Sequence, residues 1–514
     1  MALFSYGLLL FFGAILGFAL AQCPDYLNYA NVRHPPFSSG RYSLSYQRPE
    51  ESCRTFRLPI VESTIASIQS KISDPDLRRL FENSFPNTLD TAIKYHGKTQ
   101  AGEELTFVIT GDINAMWLRD SANQMQSYLS ILKQKESSDT NSIASLYRGV
   151  INLQARYIIA SPYCNSFQPP PESGVLPSDN GGSNGDTVYP PYNNTVVFEC
   201  KYELDSLAAF LQISTEYYKA TKDGTFFGKF NWVNAIKSLM TVAKEMQTPT
   251  YAPDGSVNAS PYTWTRQTTR ATETLANDGL GNPVQNGTGL IRSAFRPSDD
   301  ATIYQLFIPA NMMFSRYLLS ASEIMAQLPD QAGLAQEMAA LATNIRGAIT
   351  RHGILTHPKY GKIYAFEVDG YGSTTIMDDA NIPSLLSAPH LGYLSSSDPV
   401  YQNTRKMILS GDNPYFMRGP VINGVGGPHN GPGYAWPMAS IVRILTSNDD
   451  AEIKATLKEI VSSTDGLGLI HESVWSSNEH KWTRQWFSWA NGLFGQMIID
   501  LADRKPGLLQ ERYQ

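Results

Sequence analysis

Apolar residues recur at helical spacing in segment after segment of this chain, and the stretches between them are polar, aromatic and rich in turn residues. The period of three to four residues falls near residues 60–82, 118–134, 143–160, 203–220, 230–246, 302–328, 333–350, 398–409, 435–446, 450–463 and 484–502. These segments predict an all-α scaffold of on the order of a dozen helices with few strands. No fixed-period repeat is visible, which argues against a TPR or HEAT solenoid. The intervening loops are long and rich in Gly, Pro, Asn, Asp and Ser, as in "GPVINGVGGPHNGPGY". Loops of that length inside a compact domain are usually functional. Here each polar-aromatic loop runs into an apolar helix, so a helical scaffold that gathers its loops at one end would build a site there.

The N-terminus reads differently. "MALFSYGLLLFFGAILGFALAQ" is an apolar run ending in Ala19 and Ala21, an A-x-A pattern before Gln22, although Lys and Arg are missing from its start. Residues 1–21 are therefore expected to be a cleaved signal peptide. A retained membrane anchor is the alternative, and the lack of a basic stop-transfer flank weighs against it. Residues 22–57 are turn-rich and predict an extended segment, and residues 58–514 predict one helical domain. Four cysteines follow the leader, which permits two disulfides, with the local pairing Cys23–Cys53 and Cys164–Cys200 favoured. No CxxC or HExxH spacing suggests zinc. Sequons at Asn193, Asn258 and Asn286 complete a secretory signature, so a secreted, extracellular protein is expected.

Composition narrows the function. The net charge is −6 and no Lys/Arg run is present, so a nucleic-acid footprint is missing. Aromatic residues make up 11% of the 514 residues, which suits recognition of neutral rings and equally suits a large core. Against a charged fraction of only 17%, "GDINAMWLRDS" places Asp112, Trp117, Arg119 and Asp120 within nine positions. Asp120 or Ser121 could cap the helix that follows. Capping leaves the indole and guanidinium beside it unexplained, whereas a sugar needs both an apolar wall and a hydrogen-bonding fork. Ser298, Asp299 and Asp300 read as an N-cap with first-turn acids, one of which could cap while the other faces a cleft. Glu472, in "HES" after "DGLGLI", reads as a loop acid with Trp475, Trp482, Trp486 and Trp489 nearby to shield it. Two carboxyl groups on different loops facing one pocket are the minimum machinery of glycoside hydrolysis.

The segments "GDINAMWLRDS", "FRPSDDA" with "IPANM", "EVDGYGSTTIMDDANIPSLL", "GPHNGPGYAWPM" and "HES" with "WFSWANGLFG" occur in order between about residues 60 and 502. In these the chain resembles family 125 of the glycoside hydrolases, the exo-acting α-1,6-mannosidases, as a secreted fungal-type member. The resemblance implies an (α/α)6 barrel and inverting release of terminal α-1,6-linked mannose without a metal or other cofactor. It implies a general acid at Asp299 or Asp300, with Asp300 the first choice, and Glu472 as general base. Arg119 and Asp120 would bind the terminal mannose, with Asp112 and Trp117 beside them. His429, Asn311, Asp378 and Asp379 are further pocket candidates, as is His471 next to the base. The expected partner is a mannose-containing oligosaccharide, N-glycan or mannan, with no nucleic acid, no membrane after leader cleavage, and a monomeric state. Rival expectations are a glucoamylase- or trehalase-like (α/α)6 glycosidase, a calcium-dependent mannosidase, and a non-catalytic mannan-binding protein. The leader, the Cys-containing N-terminal segment and the loops near 164–195 and 251–289 depart from the family pattern.

Overall fold

The computed structural model describes residues 23–133, 139 and 141–514. The expected signal peptide lies outside the described residues. The helical period translates into twelve principal helices among the described residues: α1 (Pro59–Gln69), α2 (Pro75–Ser84), α3 (Leu118–Gln126), α4 (Ile143–Ala160), α5 (Leu204–Thr221), α6 (Trp232–Glu245), α7 (Ile308–Met325), α8 (Ala332–His352), α9 (Pro399–Ile408), α10 (Pro437–Leu445), α11 (Asp450–Ser462) and α12 (Ser488–Arg504). The segment expected as one helix near 60–82 is two. Pro75 cannot extend a preceding helix, and Asp74 instead caps α2, its Oδ1 accepting from the N–H groups of Asp76 and Leu77 at 2.9 Å.

Packing sorts the helices into two rings, and burial differs most between α8 and α3. In α8 the buried positions are Ala335, Met338, Ala342, Ile345, Ala348 and Ile349, one apolar stripe on an otherwise polar helix. In α3 every residue from Leu118 to Gln126 is buried, the polar ones included. Helices α3, α5, α7, α10 and α12 form the inner ring, with α5 packed between α3 and α7 and α12 between α10 and α3. An outer helix follows each inner one in the chain, and α2 packs on α12 to complete the outer ring. Between α8 and α9 the sixth inner position is taken by the irregular segment 376–394. The Asp378 carboxylate holds it by accepting from the N–H groups of Leu385 and Leu386 at 2.8 and 2.9 Å. The result is an (α/α)6 barrel.

Few strands were expected, but the described residues hold seventeen, most of two to four residues and the longest the paired Ile93–Lys98 and Glu104–Val108. Met116–Trp117, Val197–Glu199, Leu306–Phe307, Tyr434–Ala435 and Trp482–Thr483 each lie just before an inner helix. They pair antiparallel with neighbouring loops and tie the loops together at one end of the barrel. Both disulfides are the local ones expected, Cys23–Cys53 and Cys164–Cys200. The first closes the N-terminal segment, whose Tyr26 ring packs edge-on against Trp486 at 4.7 Å. The divergent loops also have structure, since Asp186–Tyr189 pairs with Thr263–Arg266.

Candidate active site

The loops at the strand-bearing end enclose a pocket of about 440 Å³. It opens past Trp117, Asp299 and His429 into an outer groove of about 1060 Å³, bordered by the divergent loops through Asn180 and Arg266. Trp436, Phe487 and Trp489, from the starts of α10 and α12, give the inner pocket its apolar wall.

Arg119 and Asp120 enter from the first turn of α3. The expected cap is not what forms. Trp117 occupies the N-cap position without a side-chain hydrogen bond, and Ser121 Oγ donates back to the Trp117 carbonyl at 2.6 Å. Asp120 is a first-turn acid, where the helix dipole favours its charge. Its Oδ2 is 3.2 Å from Arg119 Nη2 yet has no hydrogen-bond partner. Burial lifts its pKa to about 6, against the pull of Arg119. The indole N–H groups of Trp117, Trp436 and Trp489 are also buried without a partner. Unsatisfied buried polar atoms are rare. Three donors and a carboxylate oxygen around one pocket are the complement of a polyhydroxylated ring.

The two adjacent acids separate because of a backbone turn. Pro297 and Ser298 form a tight reversal in which the Asp299 N–H donates to the Arg296 carbonyl at 2.9 Å and the Arg296 N–H to the Asp300 carbonyl at 2.8 Å. Asp299 takes the left-handed conformation, φ 65°, which Asp tolerates better than most residues. Its side chain consequently faces the pocket while that of Asp300 turns inward, to lie 3.5 Å from His429 Nδ1. The expected N-cap at Ser298 is therefore a hairpin turn, and α7 begins only at Ile308. Ser298 Oγ donates to Asp379 Oδ2 at 3.1 Å, so Asp379 supports the acidic turn from behind. Burial and the Asp300 charge raise the Asp379 pKa to about 6. His429 lines the pocket. Burial opposes its charge, but the Asp300 carboxylate prevails and raises its pKa to about 9, so it is a cation at neutral pH.

Asp299 has a partner that the sequence pattern did not single out. Glu203, one residue before α5, is buried beside it. Asn165 Nδ2 spans the pair, 3.2 Å from Glu203 Oε1 and 3.5 Å from Asp299 Oδ1. Arg119 also spans it, with Nη1 2.5 Å from Glu203 Oε2 and Nη2 3.5 Å from Asp299 Oδ1. Burial and the neighbouring Asp299 charge push the Glu203 pKa far up. Burial acts on Asp299 as well, but Lys201 and Arg119 outweigh it and hold that carboxyl below the usual range. The two neighbouring carboxyls are thus shifted in opposite directions, Glu203 up and Asp299 down. The available signal was weak, two acids close together in "CKYELDS" at the start of a largely buried helix.

Glu472 stands in a separate setting. Its Oε2 accepts from Thr483 Oγ1 at 2.8 Å, and its Oε1 is 3.4 Å from Arg484 Nε. Arg484 also reaches Asp112, with Nε 3.3 Å from Oδ2. Asp112 therefore borders the outer groove and holds Arg484, with burial raising its pKa. Of the four tryptophans expected around Glu472, only Trp489 lines the pocket. Trp482 stacks on His471 at 4.4 Å, Trp475 packs on Tyr434, and Trp486 faces Tyr26.

Three of the expected pocket residues serve the scaffold instead. His471 Nδ1 bonds to the Gln485 carbonyl at 2.9 Å, and burial lowers its pKa to about 4, so it is a neutral strut beneath the Glu472 loop. Asn311, fully buried, accepts from the Ile291 N–H and donates to the Ile291 and Phe307 carbonyls, each at 2.9 Å. Asp378 fastens the irregular inner segment, and burial raises its pKa to about 8.

The comparisons agree with this geometry. The family described as metal-independent alpha-mannosidase (GH125) matches residues 74–499. This chain belongs to that family. It is a glycoside hydrolase and an α-mannosidase. It is 49% identical over 491 residues to the meiotically up-regulated gene 157 protein of Schizosaccharomyces pombe, covering 95% of this chain and 94% of that protein. A solved Streptococcus pneumoniae structure superposes with a TM-score of 0.76 at 35% identity, covering 88% of this chain and 100% of that one. It is described as a metal-independent α-mannosidase in a non-productive complex with α-1,6-mannobiose. Among the described residues, no group of three or more His, Cys, Asp and Glu side chains is arranged to hold a metal ion.

Proposed function

We propose that this α-mannosidase is exo-acting, releases non-reducing terminal α-1,6-linked mannose, and inverts the anomeric centre. The observation that carries the reading is the placement of Asp299 and Glu472, from different loops and with different cations, in one small pocket that opens into a wider groove. The inner pocket would take the terminal mannose, with Arg119, Asp120 and the indole N–H groups on its hydroxyls. The outer groove would take the rest of an N-glycan or mannan chain. Glu472 removes a proton from water as the water oxygen attacks the anomeric carbon. Asp299, and not its inward-facing neighbour Asp300, passes a proton to the departing glycosidic oxygen. Glu203 supplies that proton to Asp299, so the Glu203–Asp299 pair is the acid and Asp299 its exposed member. The solved relative with α-1,6-mannobiose supports the linkage. The two disulfides support passage through an oxidising, secretory compartment.

Steady-state hydrolysis of α-1,2-, α-1,3- and α-1,6-mannobiose tests this reading. The α-1,6 linkage is expected to be preferred. Asp299→Asn and Glu472→Gln should each lower kcat by about 10²–10⁴-fold, with a much smaller loss in Asp300→Asn. A preference for another linkage would overturn the specificity, and a larger loss in Asp300→Asn would overturn the choice of acid.

A further inference from the structure

Five arginines are fully buried among the described residues: Arg48, Arg119, Arg148, Arg292 and Arg296. Four of them meet carboxylates, namely Asp90, Glu203, Glu104 and Glu367 respectively, at hydrogen-bonding distance. Arg292 does not. It is 5% exposed, its Nη2 donates to the Thr248 carbonyl, and its Nε has no partner. Burial lowers its pKa to about 10, and the one titratable group acting on it is the Tyr202 hydroxyl, which is itself buried without a hydrogen bond. A buried cation without a counter-ion is costly.

Arg292 borders a second cavity of about 640 Å³, formed by the divergent loop at 250–283 and separate in its lining from the catalytic pocket. Thr250, Ser260 and Asn277 add polar groups to its wall, while Tyr251, Val257 and Leu280 form a rim that is 42%, 64% and 40% exposed. A guanidinium is a fork suited to planar or tetrahedral oxyanions, and an aromatic and aliphatic rim suits the face of a ring. We propose that this cavity is a second ligand site, in which Arg292 binds the oxyanion of a phosphorylated or carboxylated sugar whose ring rests against Tyr251 and Val257. The reading is independent of the catalytic assignment, since none of Asp120, Asp299 and Glu472 contributes to the cavity.

Calorimetric titration of the intact, disulfide-bonded protein tests it. Inorganic phosphate, mannose 6-phosphate and glucuronate are the probes, at matched ionic strength and with excess mannose present to fill the catalytic pocket. One-to-one binding of at least one probe is expected. It should weaken by at least about tenfold in Arg292→Met, which removes the charge-assisted bonds. It should weaken as well in Val257→Asp, which sets a negative charge on the exposed rim and keeps the proposal testable if the buried substitution misfolds. Both variants should hydrolyse α-1,6-mannobiose at the parent rate. Binding of the phosphates alone would assign a phosphorylated ligand, and binding of glucuronate alone a carboxylated one. No binding of any probe, or binding undiminished in both variants, would overturn the site.

Discussion

At the scale of single residues, the chemistry rests on how few groups carry opposing demands. Arg119 touches Asp120, Glu203, Asp205 and Asp299, so one guanidinium fixes the acid proposed to bind the sugar and both members of the proposed acid pair. This makes Glu203 the informative substitution. With its proton store gone, Asp299 would have to protonate beside Lys201 and Arg119, which favour its anion. Glu203→Gln should therefore move the alkaline limb of the kcat/KM profile to lower pH and reduce kcat by roughly 10²-fold or more. An unchanged profile would mean that Glu203 only packs. That Arg119, Asp120, one of Asp299 and Asp300, and Glu472 would line a pocket was legible in the sequence, because charges beside tryptophan and proline are unusual in a chain so sparing of charge. Glu203 was not, since acids at a helix start are ordinary caps and first-turn residues. The separation of Asp299 from Asp300 was hidden too, because it depends on one left-handed φ that composition does not display.

At the scale of elements, the pocket is built from helix starts, and the loops before them are pinned by buried amides. Asn311 in α7 and Asn491 in α12 do the same work: each accepts from the N–H of an isoleucine some twenty residues earlier and donates to that residue's carbonyl and to the one four residues back. The loops so held are the two that carry Asp299 and Glu472. Asn311→Ala should destabilise the fold by about 2–4 kcal/mol through the unsatisfied groups left behind, with KM for α-1,6-mannobiose unchanged in the folded fraction. Denaturant unfolding alongside kinetics checks this, and a raised KM at unchanged stability would return Asn311 to the pocket. The helices themselves were legible from periodicity. The short strands before them were not, because two or three residues give no period, and the buried asparagine resembled a ligand contact because both roles place a polar residue on an apolar helix.

At the scale of the whole molecule, the barrel brings loops far apart in sequence to one end, and covalent links steady the additions around it. Cys164 and Cys200 flank Asn165 and Lys201, so the disulfide clamps the wall behind Asp299. Replacing both cysteines with alanine opens a loop closed over a separation of 36 residues and should cost about 3–4 kcal/mol, with activity declining at temperatures the parent tolerates. Equal melting temperatures would contradict that role. The overall architecture was legible through ordered motifs spanning most of the chain, whereas the irregular sixth inner segment and the cavity under the divergent loops arise from tertiary packing. The central claim, that Asp299 and Glu472 act across one mannose from opposite ends of a single displacement, is tested most directly by proton NMR of α-1,6-mannobiose hydrolysis from the first turnovers. The account predicts β-mannose as the initial product, lost in Glu472→Gln. Initial α-mannose would contradict it, because retention requires a covalent intermediate and a carboxyl spacing that leaves no place for the attacking water.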